Sequence, residues 1–508
     1  MNSFDFVVVG SGSAGAIVAA RLSENRAAQV LVLEAGGSEF PANVASPPLW
    51  ITLIGSNIDW GYTSVPQPGL AGRPIYEPRG KLPGGTGNMH AMMYVRGHPS
   101  DYDNWAYNGC PGWGSQDVLP YFQKIEDQED SSGPWAGKGG PLHVANAGLH
   151  EPHPSSEVFI NACRELGYPY TEDINGPNME GTGWQRVNIK HGVRQNSWTA
   201  YLQPALERSN LTLRTNAQAT RLLFEGKRCI GVEYSQNGSL ERAQANHEVI
   251  LCAGVMESPK LLLLSGIGHP AQLKQFGIPV VAEVPGVGEN FHNHVLAGVI
   301  RDSSKPLVQG KQSLSESILF CRSAPDWAGP DLQLIYVHIP FDPALIQENP
   351  NAFSILPAVV RPLSRGWIRL ANSDPLAKPV INPNYLGVES DRERLVQGVK
   401  VAREIFATRA FSSWVGAELL PGPDVRNADD LLAFVTQRAD TFHHQAGSCK
   451  MGLDSMAVVD PKLRVHLVEG LRVADASVMP SVLSSNCNAG IMMIGEKAAD
   501  LIKQTHGL

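Results

Sequence analysis

The sequence predicts an α/β unit with a doubly wound parallel sheet, joined to an α+β unit whose antiparallel sheet is backed by helices. The first observation is an unbroken apolar run at residues 5–9, which leads through a glycine-rich turn into helical apolar spacing. Further apolar runs lie at 249–253 and 471–474, as strands buried on both faces require. Between 311 and 440, several strand patterns precede an amphipathic helix, a succession typical of α+β folds.

Charge and composition exclude several classes of protein. The 508 residues carry a formal net charge of −8, which argues against a nucleic-acid partner because that needs a basic face. No apolar run reaches the roughly 18 residues of a membrane span. No signal-peptide pattern precedes the first strand, so we expect a cytoplasmic protein. The seven cysteines include no Cys-x-x-Cys pair and indicate neither a disulfide framework nor a metal site.

A dinucleotide-binding motif follows the first strand. Gly10, Gly12 and Gly15 form the pattern Gly-x-Gly-x-x-Gly at the start of a predicted helix. These glycines permit a tight turn, close approach of the backbone to a pyrophosphate, and packing of helix on strand. Glu34, 19 residues past Gly15 at the end of the next strand, can bind ribose hydroxyls but would repel a 2′-phosphate. The motif alone does not choose between FAD and NAD.

Three further segments suit the same ligand. The loop at residues 84–87 (Gly-Gly-Thr-Gly) has almost no side chains, so its backbone N–H groups can reach an anion or a flat ring. Asp475 follows a buried strand, at the edge where ligands of open α/β sheets bind. Asn488 and Ala489 open an apolar helix, whose positive end can stabilise negative charge.

These segments resemble the glucose–methanol–choline (GMC) oxidoreductases. The likeness rests on GKLPGGTGNMH at 80–90, GVMESPKLL at 254–262, HHQAGSCKMG at 443–452, LRVADAS at 471–477 and NCNA at 486–489. It implies a Rossmann-like domain with FAD as cofactor. The resemblance and the motifs together assign FAD binding to Gly10, Gly12, Ser13, Ala14, Gly15, Glu34, Ala35, Gly84, Gly85, Thr86, Gly87, Met89, His90, Ala253, Asp475, Ala476, Asn488 and Ala489.

Some positions depart from the family pattern. Met89 stands at the family's usual point of covalent flavin attachment and cannot form a histidyl bond, so we expect non-covalent FAD. His90 replaces a commoner Asn, an exchange also met in aryl-alcohol oxidases. Asn293 replaces a usual Asp, in a His292-Asn293-His294 cluster whose spacing fits no common metal site and which we interpret as a structural loop.

The resemblance also implies a catalytic pair. His444 falls at the family's catalytic histidine, and Asn486 falls where the family has a second His or Asn. We expect His444 to accept the hydroxyl proton of an alcohol, and Asn486 to hold the substrate oxygen so that a hydride passes to flavin N5. Whether the neighbouring His443, or His90, also acts at the flavin stays open.

The expected domains are discontinuous. Residues 1–155, 197–310 and 441–508 are assigned to the FAD-binding domain, and residues 156–196 and 311–440 to the substrate-binding domain. In the second domain, strands are expected at 332–339, 355–360 and 366–370, followed by a helix at 391–406.

The hypothesis is oxidation of a primary alcohol to an aldehyde, with electrons passed to oxygen or to a separate acceptor. Aryl or furanic alcohols, polyols, choline and aliphatic alcohols all stay open as substrates, and His90 favours the aromatic ones. The alternative is a lyase or a photodecarboxylase of the same fold, which would not need both His444 and Asn486. A non-catalytic nucleotide-binding module would leave that pair unexplained. The oligomeric state cannot be predicted from the sequence.

Overall fold

The computed structural model describes residues 2–130 and 133–508. Two large sheets dominate this part of the chain. The first carries the N-terminal strand, and the second is built mainly from the segment between residues 295 and 441.

The first sheet has seven strands, of which five are mutually parallel. In spatial order the parallel strands are Leu211–Arg214, Val30–Leu33, Asn2–Val9, Ser239–Leu251 and Leu471–Val473. The antiparallel hairpin of Ala217–Glu225 and Arg228–Gln236 extends the sheet beside the first half of Ser239–Leu251. Val30–Leu33, Leu471–Val473 and residues 6–9 and 248–251 of the central strands are buried on both faces, which explains why these segments are mainly apolar.

Two helices pack together on this sheet and begin at the same edge. Gly15–Leu22 follows the glycine-rich turn, and a Cβ on Gly15 would lie 2.0 Å from the carbonyl oxygen of Gly10, so only glycine fits there. Asn488–His506 packs against that helix. Their first turns are joined by a hydrogen bond of 2.8 Å from Asn488 Nδ2 to Ser13 Oγ.

The second sheet has eight strands, and its pairings are antiparallel. Six follow one another in the order Val415–Leu420, Val299–Ser303, Ala352–Val359, Leu332–Val337, Ser317–Cys321 and Gly181–Trp184; Val295–Leu296 pairs with both Ala352–Val359 and Asp440–Thr441. Side chains alternate between its two faces. Leu334 packs in the core with the helix Glu389–Phe406, whereas Ile335 and Val337 face the opposite side.

The remaining elements are short. The other helices are Pro99–Tyr107, Ser115–Ile125, Pro154–Glu165, Gln203–Ala205, Gly254–Leu264, Pro270–Gln275, Pro343–Glu348 and Ala428–Arg438, with a π-helix at Trp198–Leu202 and 3-10 turns at Ala42–Val44, Pro47–Leu53, Pro68–Leu70, Gly85–Asn88, Ala147–Leu149 and Ala476–Val478. The small sheets pair Tyr62–Thr63 with Tyr76–Glu77, Ile189–Lys190 with Val193–Arg194, Ile267–Gly268 with Ala282–Glu283, Trp367–Arg369 with Val380–Asn382, and Glu126–Gln128 with Leu142–Asn146, which also pairs with Arg186–Val187. Among the described residues, no helix combines the length and apolar character that crossing a membrane would need.

The predicted α/β plus α+β fold is confirmed, and some local expectations need adjustment. The strand expected at 366–370 is present as Trp367–Arg369, but it forms a separate hairpin rather than joining the second sheet. Val295–Leu296 and Val299–Ser303 lie in the second sheet, although the sequence assigns 197–310 to the FAD-binding domain. The division into domains stays a prediction.

Candidate active site

A deep cleft runs from the carboxyl ends of the parallel strands to the inner face of the second sheet. It encloses about 2000 Å³, including the part open to solvent. One end is formed by the glycine-rich turn, the end of the second strand and the turn after Ser239–Leu251. The other end is mainly apolar and is lined by Trp50, Ile54, Ala91, Met93, Leu296, Ile335, Val337, Phe341, Leu356 and Phe442.

Glu34 is held rigidly at the first end of the cleft. Its Oε2 accepts hydrogen bonds from the backbone N–H of Ser11 (3.1 Å) and from Ser11 Oγ (2.6 Å), and its Oε1 accepts one from the N–H of Gly36 (2.8 Å). Burial raises the pKa of Glu34, and these donors oppose the shift. A carboxylate has about four lone-pair sites, so one site remains for a ribose hydroxyl.

The glycine loops form a cradle that fits a pyrophosphate. A Cβ on Gly12 would meet no atom closer than 4.0 Å, so it would project into open space of the cleft. Gly85 of the second loop packs directly against Gly12, and the N–H of Gly84 donates to Ser11 O at 2.9 Å. Two runs of small residues therefore line one wall, where backbone N–H groups can contact phosphate oxygens.

Asp475 lines the nucleotide-binding end of the cleft, just past the strand Leu471–Val473. Its Oδ2 accepts hydrogen bonds from the N–H of Gly254 (2.9 Å) and from Ser258 Oγ (2.6 Å), and its Oδ1 accepts one from the N–H of Ser477 (2.8 Å). Burial raises the pKa of Asp475, and these hydrogen-bond donors oppose the rise. The carboxylate thus ties the strand end at 473 to the turn after Ser239–Leu251, and it fixes the position of Ala476 in the cleft wall.

His444 and Asn486 meet at the apolar end. Asn486 Nδ2 lies 3.3 Å from His444 Nε2. The amide orientation is set by Gln333, whose Nε2 donates to Asn486 Oδ1 at 2.9 Å. Because the Asn486 amide therefore donates towards His444, His444 Nε2 carries a lone pair rather than a hydrogen.

His294 completes the arrangement from behind. His294 Nδ1 lies 3.0 Å from His444 Nδ1, with the two rings close to perpendicular. With Nε2 unprotonated, neutral His444 carries its hydrogen on Nδ1 and donates it to His294 Nδ1. The tautomer that exposes a basic Nε2 to the cleft is thus favoured by contacts on both sides of the ring.

The surroundings disfavour a charged imidazole. Burial lowers the pKa of His444 well below 6.5, and His294, His443, Arg79 and His90 reinforce the shift. Arg79 donates to the backbone oxygen of His443 at 2.7 Å, and burial lowers its own pKa. His444 is consequently neutral and able to accept a proton at physiological pH.

His90 presents a donor to the cleft. Its Nδ1 accepts a hydrogen bond from the N–H of Met92 at 2.8 Å, which leaves the hydrogen on Nε2. Within the described residues this buried Nε2 has no hydrogen-bond partner. Burial and the nearby Arg194 lower the pKa of His90 to about 3. Arg194 is itself buried and donates to the backbone oxygens of Val44 and His90.

Most residues assigned to FAD binding or catalysis line this one cleft. Four lie outside its lining: Gly15 contacts Gly10, Gly84 packs against Asn88, Gly87 faces Asn196, and Ala489 is buried in the C-terminal helix. Met89 and His90 both line the cleft. The roles of individual residues stay predictions.

The sequence interpretation missed several residues of the site. It treated His292-Asn293-His294 as a structural loop, and His292 does bind backbone, accepting from the N–H of Val482 at 2.8 Å. Asn293 and His294, however, both contact His444. No spacing rule could have found His294, because 150 residues separate it from His444.

The comparisons with known proteins agree with this geometry. Two sequence models of the GMC oxidoreductase family match this chain, one over residues 4–296 and the other over residues 362–495. The human protein "Choline dehydrogenase, mitochondrial" is 40% identical over 99% of this chain and 90% of its own length. "Oxygen-dependent choline dehydrogenase" of Sinorhizobium medicae is 40% identical over 98% of this chain and 95% of its own.

The chain belongs to the GMC oxidoreductase family. A crystal structure of pyridoxine 4-oxidase from Mesorbium loti superposes with a TM-score of 0.93 at 34% identity, covering 99% of both chains. The predicted cofactor and reaction class are confirmed, since this GMC oxidoreductase is an FAD-dependent alcohol oxidoreductase. The glycine cradle, Glu34 and Asp475 fit the phosphates, ribose and ribityl chain of that cofactor.

Proposed function

We propose that this GMC oxidoreductase oxidises an uncharged aromatic primary alcohol to the aldehyde, with His444 as the base and Asn486 as the residue that holds the substrate oxygen. FAD supplies the hydride acceptor. The observation that carries the proposal is the meeting of His444 Nε2 and Asn486 Nδ2 at the apolar end of the cleft.

Each member of the pair has one task. A hydroxyl bound here can accept a hydrogen bond from Asn486 Nδ2 and donate its own proton to His444 Nε2. Proton removal by a positioned base typically contributes about 10²–10⁴-fold to a rate. The imidazolium that forms is stabilised by the contact of His444 Nδ1–H with His294 Nδ1.

The substrate class follows from the charges of the lining. The carboxylates of the described lining are Glu34, Glu257 and Asp475. Glu257 is occupied by Tyr62 (2.7 Å) and Lys260 (2.9 Å), and the other two lie at the nucleotide end. The apolar end has aromatic walls, with Trp50 and Phe341 stacked at 6.4 Å. Because no carboxylate of the described lining lies at this end, a neutral ring is favoured over a cation, which would need a counter-charge.

Choline is the second candidate, because the human and Sinorhizobium relatives carry choline dehydrogenase names. Cation–π contact with Trp50, Phe341 and Phe442 could hold a quaternary ammonium, which such aromatic faces attract. Against it stand Arg79 in the lining and Arg194 close behind His90, two buried cations near the same end. Non-covalent FAD, oxygen or a separate electron acceptor, and a cytoplasmic location complete the proposal.

The test is an anaerobic absorbance titration of the FAD-loaded protein. The panel comprises benzyl alcohol, a hydroxymethylpyridine, furfuryl alcohol, choline, a polyol and an aliphatic alcohol. Bleaching by the aromatic alcohols at lower concentration than by choline is expected; the reverse order would make choline the substrate class. Admitting air then separates an oxidase from a dehydrogenase by the rate of recolouring. If none of the alcohols bleaches the flavin, a lyase or photodecarboxylase replaces this proposal.

A further inference from the structure

The turn that presents His444 is conformationally strained. His443 has φ +65°, in the left-handed region that non-glycine residues rarely adopt. Such a conformation costs about 1–3 kcal/mol and persists only where surrounding contacts enforce it. Three hydrogen bonds enforce this one: His443 N–H donates to Thr441 Oγ1 (3.0 Å), Arg79 donates to His443 O (2.7 Å), and His444 N–H donates to Asn293 Oδ1 (2.8 Å).

Two of these partners converge on one carboxylate. Thr441 Oγ1 donates to Glu77 Oε2 at 3.2 Å. Asn293 Nδ2 donates to Thr441 Oγ1 (2.8 Å) and to Tyr385 Oη, and Tyr385 Oη donates to Glu77 Oε1 at 2.7 Å. The network thus joins Glu77 to the backbone N–H groups of both His443 and His444.

Gln445 anchors the other end of the turn. Its Nε2 also donates to Glu77 Oε2, so the same carboxylate is bonded to Thr441 and Gln445, on either side of the two histidines. Glu77 itself is fully buried, as part of Tyr76–Glu77. The pairing of that strand with Tyr62–Thr63 gives it a fixed backbone position.

We propose that ionised Glu77 is a positioning residue, which holds the His443–His444 turn so that His444 Nε2 faces Asn486 and the substrate. The inference rests on the proposed role of His444 as the base. The carboxylate accepts three hydrogen bonds and can donate none. A protonated Glu77 would need an acceptor, yet Thr441 Oγ1 and Tyr385 Oη already accept from Asn293. Protonation therefore forces at least one member of the network to turn away.

The burial of Glu77 makes this protonation accessible near neutral pH. Burial raises the pKa of Glu77 to about 7; the donors Tyr385 and Gln445 and the Arg79 guanidinium oppose the rise, and Asp440 adds to it. The positive charge of Arg73 opposes the rise in the pKa of Asp440 that burial causes. Since the pKa of His444 lies far lower, an acid limb of activity near pH 7 would report on Glu77 rather than on the base itself.

The experiment measures the rate of anaerobic flavin reduction by a saturating alcohol from about pH 5.5 to 9 in the holoenzyme. It compares the wild type with Glu77→Gln, Glu77→Leu and His444→Ala. Glutamine mimics protonated Glu77, because its oxygen can accept from Thr441 and Gln445 but its amide donates towards Tyr385 Oη, which already accepts from Asn293. Glu248→Gln is the matched control, because Glu248 is a buried carboxylate bound to Arg472 and His506, away from the cleft.

Glu77→Gln is expected to keep, at every pH, the lower limiting rate of the enzyme with Glu77 protonated, and so to lose the acid limb near pH 7; at pH 8 its limiting rate should lie about tenfold below that of the wild type. Glu77→Leu is expected to lower the limiting rate about tenfold or more, with little change in KM, because small misplacements of a catalytic group are costly. An unchanged acid limb in Glu77→Gln, or a limiting rate in Glu77→Leu equal to that of Glu248→Gln, would overturn the inference. If Glu77→Leu does not fold, the pH profile of Glu77→Gln decides. If His444→Ala itself reduces flavin normally, the proposed function fails first.

Discussion

At the residue scale, one hydrogen on one imidazole determines whether the site can act as a base. Asn486 donates to His444 Nε2 and His294 accepts from Nδ1, so removing either neighbour changes more than a contact. A ring whose hydrogen moves to Nε2 would point a donor at the substrate hydroxyl and could not accept its proton. The base is therefore defined by three residues rather than by His444 alone.

Replacing His444 by Ala should lower the rate constant of anaerobic flavin reduction by about 10²–10⁴-fold, because the hydroxyl proton then has no acceptor within reach. Asn486→Ala should lower it less and raise KM as well, since the substrate oxygen loses its donor. Stopped-flow absorbance at the flavin band measures both. FAD content should stay at the wild-type level in each variant, and a His444→Ala enzyme with an unchanged rate would rule out its role as base.

His294→Phe tests the tautomer argument. Phenylalanine fills the space but cannot accept from His444 Nδ1–H, so the favoured tautomer loses its support and the limiting rate should fall about tenfold. His153→Phe is the matched control, because His153 is also buried but contacts Ser155 and His338 rather than His444. Equal rates in the two variants would show that His294 only packs.

At the element scale, two glycines at the start of the first helix separate cofactor binding from folding. A Cβ on Gly12 meets only open cleft, whereas a Cβ on Gly15 would strike the carbonyl oxygen of Gly10 at 2.0 Å. Gly12→Ala should therefore fold with a nearly unchanged apoprotein Tm but bind FAD weakly, because the methyl group occupies space meant for the phosphates. Gly15→Ala should lower both the Tm and the FAD content.

The measurements are the ratio of flavin to protein absorbance and thermal melts of stripped protein. Gly133→Ala provides a control, since Gly133 has no positive φ, as Gly12 and Gly15 have none, and among the described residues has nothing within 4 Å of a Cβ. It shows the effect of an added methyl group that meets neither cofactor nor protein. Full FAD content in Gly12→Ala would contradict the placement of the phosphates beside Gly12.

The sequence predicts the individual helices and strands better than it predicts which strands pair with each other. Periodicity predicts the helix Glu389–Phe406, because one of its faces is buried in a continuous core. A run of mainly apolar residues predicts the strand Leu332–Val337, which is buried on both faces. It does not predict that Trp367–Arg369 pairs outside the second sheet, since strand pairing depends on tertiary contacts.

The residues of the site also fall into those that the sequence identifies and those that only the fold brings together. Local motifs identify His444 and Glu34. No motif identifies Glu77, and the pattern at His292-Asn293-His294 does not reveal that Asn293 and His294 contact His444. The fold brings them to His444 from distant parts of the chain.

At the scale of the whole molecule, buried neutral histidines should make the protein labile to acid. Burial lowers the pKa of His90, His294 and His443 to about 3, and that of His292 and His444 well below 6.5. The unfolded chain takes up these protons near pH 6.5 and the folded chain does not. The stability that neutral histidine contributes is thus fully present above pH 6.5 and is lost progressively as the pH falls towards 3.

Glu77 acts in the opposite direction. Its pKa is raised from 4.5 to about 7, so its protonation favours the folded state below pH 4.5, and that contribution is lost as the pH rises through 7. The buried carboxyls of Glu34 and Asp475 also have a raised pKa, but the five buried histidines outnumber these three groups. More of these groups have a lowered histidine pKa than have a raised carboxyl pKa, so the free energy of unfolding should decline between pH 6.5 and 4.5.

Urea unfolding of the FAD-saturated protein at four pH values between about 8 and 4.5 measures this decline. Glu77→Gln removes one of the opposing groups, so its free energy of unfolding should fall more steeply than that of the wild type as the pH is lowered. The free energy of unfolding of the wild type minus that of Glu77→Gln should therefore be larger at pH 4.5 than at pH 8, because only the wild type takes up a proton at this position on folding. Parallel curves for the two proteins would show instead that the pKa of Glu77 keeps its ordinary value in the folded state.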